Sequence, residues 1–130
     1  MELIYKNPVK PASRPKVADA KAAYEILMQH WDEGKIELQE QFKVMLLNRG
    51  SKLLGILPLS IGGGHATIVD RKLIFATALK SNASKIILAH NHPSGLLKPS
   101  ISDTQITNQI VSAGKLLEID VLDHLIVSRD

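Results

Sequence analysis

The chain has 130 residues, 45% of them hydrophobic, with a formal net charge of +3 and a pI near 9.2, which suits one domain with a real core and leaves no room for two. It holds no cysteine, so a disulfide framework, a thiol nucleophile and every cysteine-based zinc site are excluded, and any metal must rest on His and Asp/Glu. The start Met1-Glu2-Leu3-Ile4-Tyr5 lacks the basic and apolar stretches of a signal peptide, and no apolar run is long enough to span a membrane; a cytoplasmic location with no membrane partner is expected.

Residues 1–16 read as a basic arm, with Lys6, Lys10, Arg14 and Lys16 set among Pro8, Pro11 and Pro15. Such an arm is expected to be a solvated, extended lead-in to a single domain over residues 17–130, with charge enough for weak, non-specific nucleic-acid contact. Only five aromatic residues occur (Tyr5, Tyr24, Trp31, Phe42, Phe75), too few for a face that stacks single-stranded bases. Val17, Ala20, Tyr24, Leu27, Met28 and Trp31 share a face at helical spacing and predict an amphipathic helix over 17–31, ended by Asp32-Glu33-Gly34. Phe42 to Asn48 and Leu53 to Leu59 are apolar runs joined by Asn48-Arg49-Gly50-Ser51, a hairpin signal; runs this apolar suggest a sheet covered on both faces. A helix over about 70–82, a strand from Lys85 to His90, a helix over about 102–118 and a strand from Ile119 to Val127 complete an α-β-β-α-β-α-β order. That order predicts an α/β fold, a mixed sheet flanked by helices. Gly62-Gly63-Gly64-His65 has neither the Lys-Ser/Thr pair of a phosphate loop nor the spaced glycines of a dinucleotide loop, and reads as a flexible loop with His65 a loop residue.

The chemistry concentrates at His90-Asn91-His92, followed by Ser100 and Asp103, three good metal ligands and a polar helper within fourteen residues. Ile86, Leu88 and His90 alternate with Ile87 and Ala89 as in a buried strand, so residues two apart share a face and His90 and His92 can aim at one ion. Asp103 falls in the first turn of the next helix, where the helix dipole keeps a carboxylate ionised. Two histidines and a carboxylate leave a tetrahedral zinc one open position, the pattern of catalytic rather than structural sites. Blander readings stand beside this one. Ser100-x-x-Asp103 is also a capping box, which is compatible with a ligand role, and a His-x-His pair alone is more often packed or surface-exposed. In the last strand, His124 alternates with Leu122 and Ile126; a hydrogen-bonding histidine in the core is the simpler reading there, with a supporting role at the metal open.

At these positions the chain resembles a known family. His90-x-His92, seven residues, Ser100, two residues and Asp103 match the JAMM signature of JAB/MPN metallo-hydrolases without a gap. The fuller run His90-Asn91-His92-Pro93-Ser94-Gly95, with Pro99-Ser100, Ala113-Gly114 and Leu122-Asp123-His124-Leu125-Ile126-Val127, is similar to the RadC branch of that superfamily. The resemblance covers roughly residues 36–128. It implies the cytidine-deaminase-like layered JAB/MPN fold, a zinc ion and metalloprotease-type chemistry, as in relatives that cut isopeptide bonds. In JAMM enzymes a glutamate just ahead of the first core strand accepts the proton of the attacking water, and Glu40-Gln41-Phe42-Lys43-Val44 resembles that segment; Glu40 is the first choice and Glu37 the second. Ser100 would donate a hydrogen bond to the oxyanion of the tetrahedral intermediate.

The expected function is therefore a zinc-dependent hydrolase of amide or isopeptide bonds acting on a peptide or protein. His90, His92 and Asp103 are the expected ligands and Glu40 and Ser100 the expected catalytic residues. RadC proteins are also labelled as DNA repair proteins, which makes a nucleic-acid-binding or nuclease role the alternative. Nuclease sites more often use carboxylate-rich magnesium centres, however, and where many RadC proteins carry a helix-hairpin-helix ahead of this domain, a short basic arm and one helix are expected here. A non-catalytic MPN interaction module is the third reading, opposed by the intact ligand set. A zinc nucleobase deaminase needs cysteine ligands that the chain lacks. Oligomeric state is not legible.

Overall fold

A computed structural model describes residues 3–61 and 69–128. Its elements follow the expected order: α1 (Ala20–Gln29), β1 (Gln41–Leu47), β2 (Leu53–Ile61), α2 (Arg71–Lys80), β3 (Lys85–Asn91), α3 (Ile101–Leu116) and β4 (Asp120–Val127). No helix among the described residues is long and apolar enough to cross a membrane.

The four strands form one mixed sheet in the order β2-β1-β3-β4, with β1 antiparallel to both neighbours and β4 parallel to β3. A parallel pair needs a crossover, and α3 supplies it. The two central strands carry unbroken apolar runs, Val44 to Leu47 and Ile86 to Ala89, as suits strands covered on both faces. Phe42, Val44 and Leu46 of β1 and Ile86 and Leu88 of β3 pack with Ile74, Phe75 and Ile110 beneath α2 and α3. The alternate residues Met45, Leu47, Ile87 and Ala89 pack with Ala23, Leu27, Trp31 and Val127 beneath α1. Helices thus flank the sheet on both faces, as a JAB/MPN fold requires. The same alternation carries His90, next in the 86–88 series, onto the α2/α3 face, and Asn91 onto the α1 face.

Side-chain caps set where helices begin. Asp19 accepts from the Ala22 N–H at 2.8 Å and Asp70 from the Leu73 N–H at 3.0 Å. The first helix is consequently shorter than its apolar periodicity, which ran from 17 to 31. Val17 is extended chain bonded to the Ser51 carbonyl and Trp31 lies past the helix end, yet both side chains enter the core below α1. At the end of α3, Glu118 takes a positive φ of 59° and the Ile119 N–H returns to the Gly114 carbonyl at 2.8 Å. That return brings the Ile119 carbonyl oxygen within 2.4 Å of where a Cβ on Gly114 would stand, so the position admits only glycine without movement.

The basic arm is exposed for most of its length but is not a free lead-in. The Pro15 carbonyl accepts from the Leu53 N–H at 2.9 Å, Lys16 bridges Lys52, and the Asn7 side chain donates to the Leu54 carbonyl at 2.8 Å. These bonds lay the arm along the start of β2. Gly62-Gly63-Gly64 and His65 lie outside the described residues.

Candidate metal centre

The centre forms where β3 ends and α3 begins. His90 is 1% exposed, and its ring lies parallel to that of Phe42, its partner across β1, with centroids 5.8 Å apart. His92 reaches the site for a different reason than strand alternation. β3 stops at Asn91, and the chain turns through Pro93, Ser94 and Gly95, whose φ is 79° and whose N–H closes on the His92 carbonyl at 2.8 Å. Within this turn the Nδ1 of His92 meets the Leu96 carbonyl at 2.7 Å. A carbonyl can only accept, so Nδ1 carries the proton, and a neutral His92 keeps its Nε2 lone pair facing His90.

Asp103 completes the group from the first turn of α3. The capping box is fully formed: Ser100 Oγ accepts from the Asp103 N–H at 3.0 Å, and Asp103 Oδ2 accepts from the Ser100 N–H at 2.7 Å. The same carboxylate also faces both histidines, so its capping role does not take it out of the candidate ligand group. His90 Nε2 lies 2.9 Å from His92 Nε2 and 3.2 Å from Asp103 Oδ1, and His92 Nε2 lies 3.0 Å from Asp103 Oδ2. Glu40 adds a fourth candidate ligand, an oxygen. One ligand atom from each of Glu40, His90, His92 and Asp103 lies within 4.8 Å of every other, a group that could hold a metal ion.

The electrostatics favour the forms a metal needs, neutral imidazole and ionised carboxylate. Burial pushes the His90 imidazole below the ordinary histidine value despite the nearby Asp103 charge. Burial acts to raise the Asp103 carboxyl, but the Ser100 N–H, the neighbouring histidines and the Ser100 side chain outweigh it and hold the group below the usual carboxylate range. His124 is pushed down to about 4, first by burial and then by His90.

Glu40 is held in place by Asn91, which the sequence reading left without a role. On the α1 face of β3, the fully buried Asn91 side chain accepts from the Gln41 N–H at 2.7 Å and donates to the Ile36 and Gln39 carbonyls at 2.6 and 2.9 Å. These three bonds straddle Glu40 and clamp its segment to the strand that carries the histidines. Glu37 is exposed and outside the group.

His124 is a hydrogen-bonding histidine, and its partner is His90: Nε2 lies 2.7 Å from His90 Nδ1, while its Nδ1 meets the Thr107 hydroxyl. Strand alternation from Leu122 does not explain this position. The β3–β4 register shifts between Ile86 and Ile87, so Leu122 sits at a bulge and is 49% exposed rather than in the core. The extra residue puts His124 on the site face with Val121, a common use of bulges beside functional groups. Asp123 is exposed and accepts from the neighbouring His124 N–H. Thr107 escaped the sequence reading, and its one signal is its position four residues after Asp103, on the same helix face.

The group sits between two clefts. One, of about 360 Å³, is lined by Glu40, Phe42, His92, Ser100 and Ile106, and the other, of about 400 Å³, by Leu97, Pro99, Thr104, Thr107 and Ile126; His124 and Asp103 border both.

A family model of the RadC-like JAB domain matches residues 17–130. The chain belongs to the RadC-like JAB domain family. Similar proteins include a UPF0758 protein of Flavobacterium johnsoniae, 47% identical over 90 residues that cover 69% of this chain and 39% of the relative. Another, from Syntrophomonas wolfei, is 42% identical over 102 residues, covering 78% and 41%. A third, from Symbiobacterium thermophilum, is 38% identical over 119 residues, covering 92% and 50%. The chain thus spans half or less of the length of these curated relatives. Within this RadC-like JAB domain, the group that could hold a metal joins Glu40 to His90, His92 and Asp103.

Proposed function

We propose that this domain is a zinc-dependent hydrolase of amide or isopeptide bonds acting on a peptide or protein. The observation that carries the reading is the convergence of His90 Nε2 and His92 Nε2, 2.9 Å apart, on the Asp103 carboxylate, whose Oδ1 lies 3.2 Å from the first and whose Oδ2 lies 3.0 Å from the second. Bonds of about 2.0–2.1 Å to a tetrahedral zinc place neighbouring ligands about 3.3–3.4 Å apart, so small outward shifts fit this triangle to the ion. Two imidazoles and one carboxylate suit zinc better than magnesium, which prefers oxygen ligands and octahedral geometry. Three protein ligands leave one position for reactants.

Bound zinc would supply Lewis acidity, polarising a carbonyl oxygen and acidifying water. The chain's own residues divide the remaining work. Glu40, held by the Asn91 clamp beside the ligand atoms, accepts the proton of the attacking water and passes it to the leaving nitrogen. Ser100 Oγ accepts from the Asp103 N–H, which leaves its hydroxyl proton to donate to a carbonyl oxygen as that oxygen gains charge. The cleft bordered by Glu40, His92 and Ser100 is where a substrate carbonyl would meet all three.

Metal analysis of the purified domain, with peptide and isopeptide hydrolysis measured in parallel, tests the proposal. About one zinc per chain is expected, lost on replacing His90, His92 or Asp103 by alanine, while Glu40→Gln retains zinc and abolishes hydrolysis. Full zinc retention by His92→Ala would refute the ligand set. Loss of zinc in Glu40→Gln would make Glu40 a ligand instead of a base.

A further inference from the structure

His90 contributes to the ligand triangle only if its Nε2 is bare, and nothing in the triangle itself secures that. We propose that Thr107 and His124 form a positioning relay that fixes the His90 proton on Nδ1 and so presents Nε2 as a metal ligand. The relay is read from the one bond whose direction chemistry settles. Thr107 Oγ1 lies 2.8 Å from the Asp103 carbonyl oxygen, one turn earlier in α3. A carbonyl only accepts, so the single hydroxyl proton of Thr107 is committed to it. Toward His124 Nδ1, the Thr107 oxygen can then act only as an acceptor, and Nδ1 must carry a proton. The other nitrogen of a neutral His124, Nε2, is bare and 2.7 Å from His90 Nδ1. That contact requires His90 to donate from Nδ1, leaving Nε2 unprotonated when the ring is neutral.

The opposite direction is self-defeating. If His124 donated from Nε2 to His90, its Nδ1 would need a proton from Thr107, and Thr107 Oγ1 would face the Asp103 carbonyl oxygen at 2.8 Å with no proton between them. Each link is also fixed in space. The Phe42 ring lies flat against His90 and edge-on to His124, with centroids 5.8 and 5.5 Å away, so neither imidazole can turn freely. The relay starts from the backbone of Asp103, itself a member of the triangle, so the tautomer of one candidate ligand is tied to the placement of another. His92 needs no such relay, since the Leu96 carbonyl does the same for its Nδ1 directly.

The zinc arm of the test rests on the metal-binding reading above, whereas the tautomer arm does not. In nitrogen-15 spectra of metal-free protein, His124 is expected in the Nδ1–H form with Nε2 unprotonated, the less populated tautomer of free histidine. A His124 proton found on Nε2 would overturn the proposal with no variant needed. For the zinc arm, chelator competition should show Thr107→Val, which keeps the shape and removes the acceptor, binding zinc about 10–100-fold more weakly than the parent. Thr107→Ser, which keeps the hydroxyl, should restore parental affinity, and His124→Phe should weaken it as Thr107→Val does. Parental affinity in Thr107→Val would overturn the relay. If the parent bound no zinc, the proposed function would fail while the His124 spectrum still decided the relay.

Discussion

Replacing Asn91 by alanine should be among the most damaging single changes outside the proposed ligands. The side chain is fully buried and makes three hydrogen bonds, one accepted from the Gln41 N–H and two donated to the Ile36 and Gln39 carbonyls. Truncation leaves one backbone donor and two acceptors without this partner, at about 1–3 kcal/mol for each group that stays buried and dry. Partial relaxation lets water reach some of them, so the net loss is about 3–5 kcal/mol, a large share of the about 5–15 kcal/mol that holds a domain together. At about 4 °C per kcal/mol for a chain of this size, the thermal midpoint should fall by about 12–20 °C. Asn91→Asp keeps the acceptor for Gln41 but sets a charge against two carbonyls, and should cost at least as much. Denaturant titration measures the loss. Below the transition, hydrolysis should fall further than zinc binding, because the freed segment carries Glu40 rather than a ligand of the triangle. A loss under about 1 kcal/mol for Asn91→Ala would refute the clamp.

Gly114→Ala should cost about 1–3 kcal/mol in denaturant titration, since the new Cβ would stand 2.4 Å from the Ile119 carbonyl oxygen; an unchanged midpoint would mean that the α3–β4 connection yields freely. In metal-free protein, the folded-state pKa of His124 lies near 4 against an ordinary 6.5, so the unfolded chain binds the extra proton first. Stability should therefore fall as pH is lowered from about 6.5 toward 4, with a shallower slope in His124→Phe; thermal melts across this range check the sign. Duplex DNA should bind weakly and without sequence preference, with a steep salt dependence that replacing Lys6, Lys10 and Arg14 by glutamine removes. Tight selective binding that survives those changes at physiological salt would favour a nucleic-acid role.

What was legible in the sequence is what depends on neighbours along the chain. The apolar runs of β1 and β3, the capping box at Ser100 and Asp103, and the spacing from His90 to Asp103 are all local patterns, and each sits in the structure near where it was read. His92 was placed by a local rule that does not operate, since strand β3 ends before it and a turn aims it instead. Asn91 and Thr107 were invisible for a different reason. Their partners are defined by sheet order and helix docking, and no spacing within residues 85–110 says that β1 lies on one side of β3 and β4 on the other. The Leu122 bulge is equally silent in sequence, and it reverses the face on which His124 would otherwise fall.

Sheet order also explains why the candidate ligands gather at this strand end. β3 is central, so its last residues have a neighbour on each side and a helix start above them. From the β1 side come the Phe42 ring against His90 and the clamped Glu40 segment. From the β4 side comes His124 on the far nitrogen of the same imidazole. From α3 come Asp103 toward the triangle and Thr107 behind it. His90 is thus held through both of its ring nitrogens and one ring face by three separate elements. An edge strand could not offer this, because one of its flanks is open. A candidate ligand set written in fourteen residues is held in place only through contacts made with the rest of the sheet.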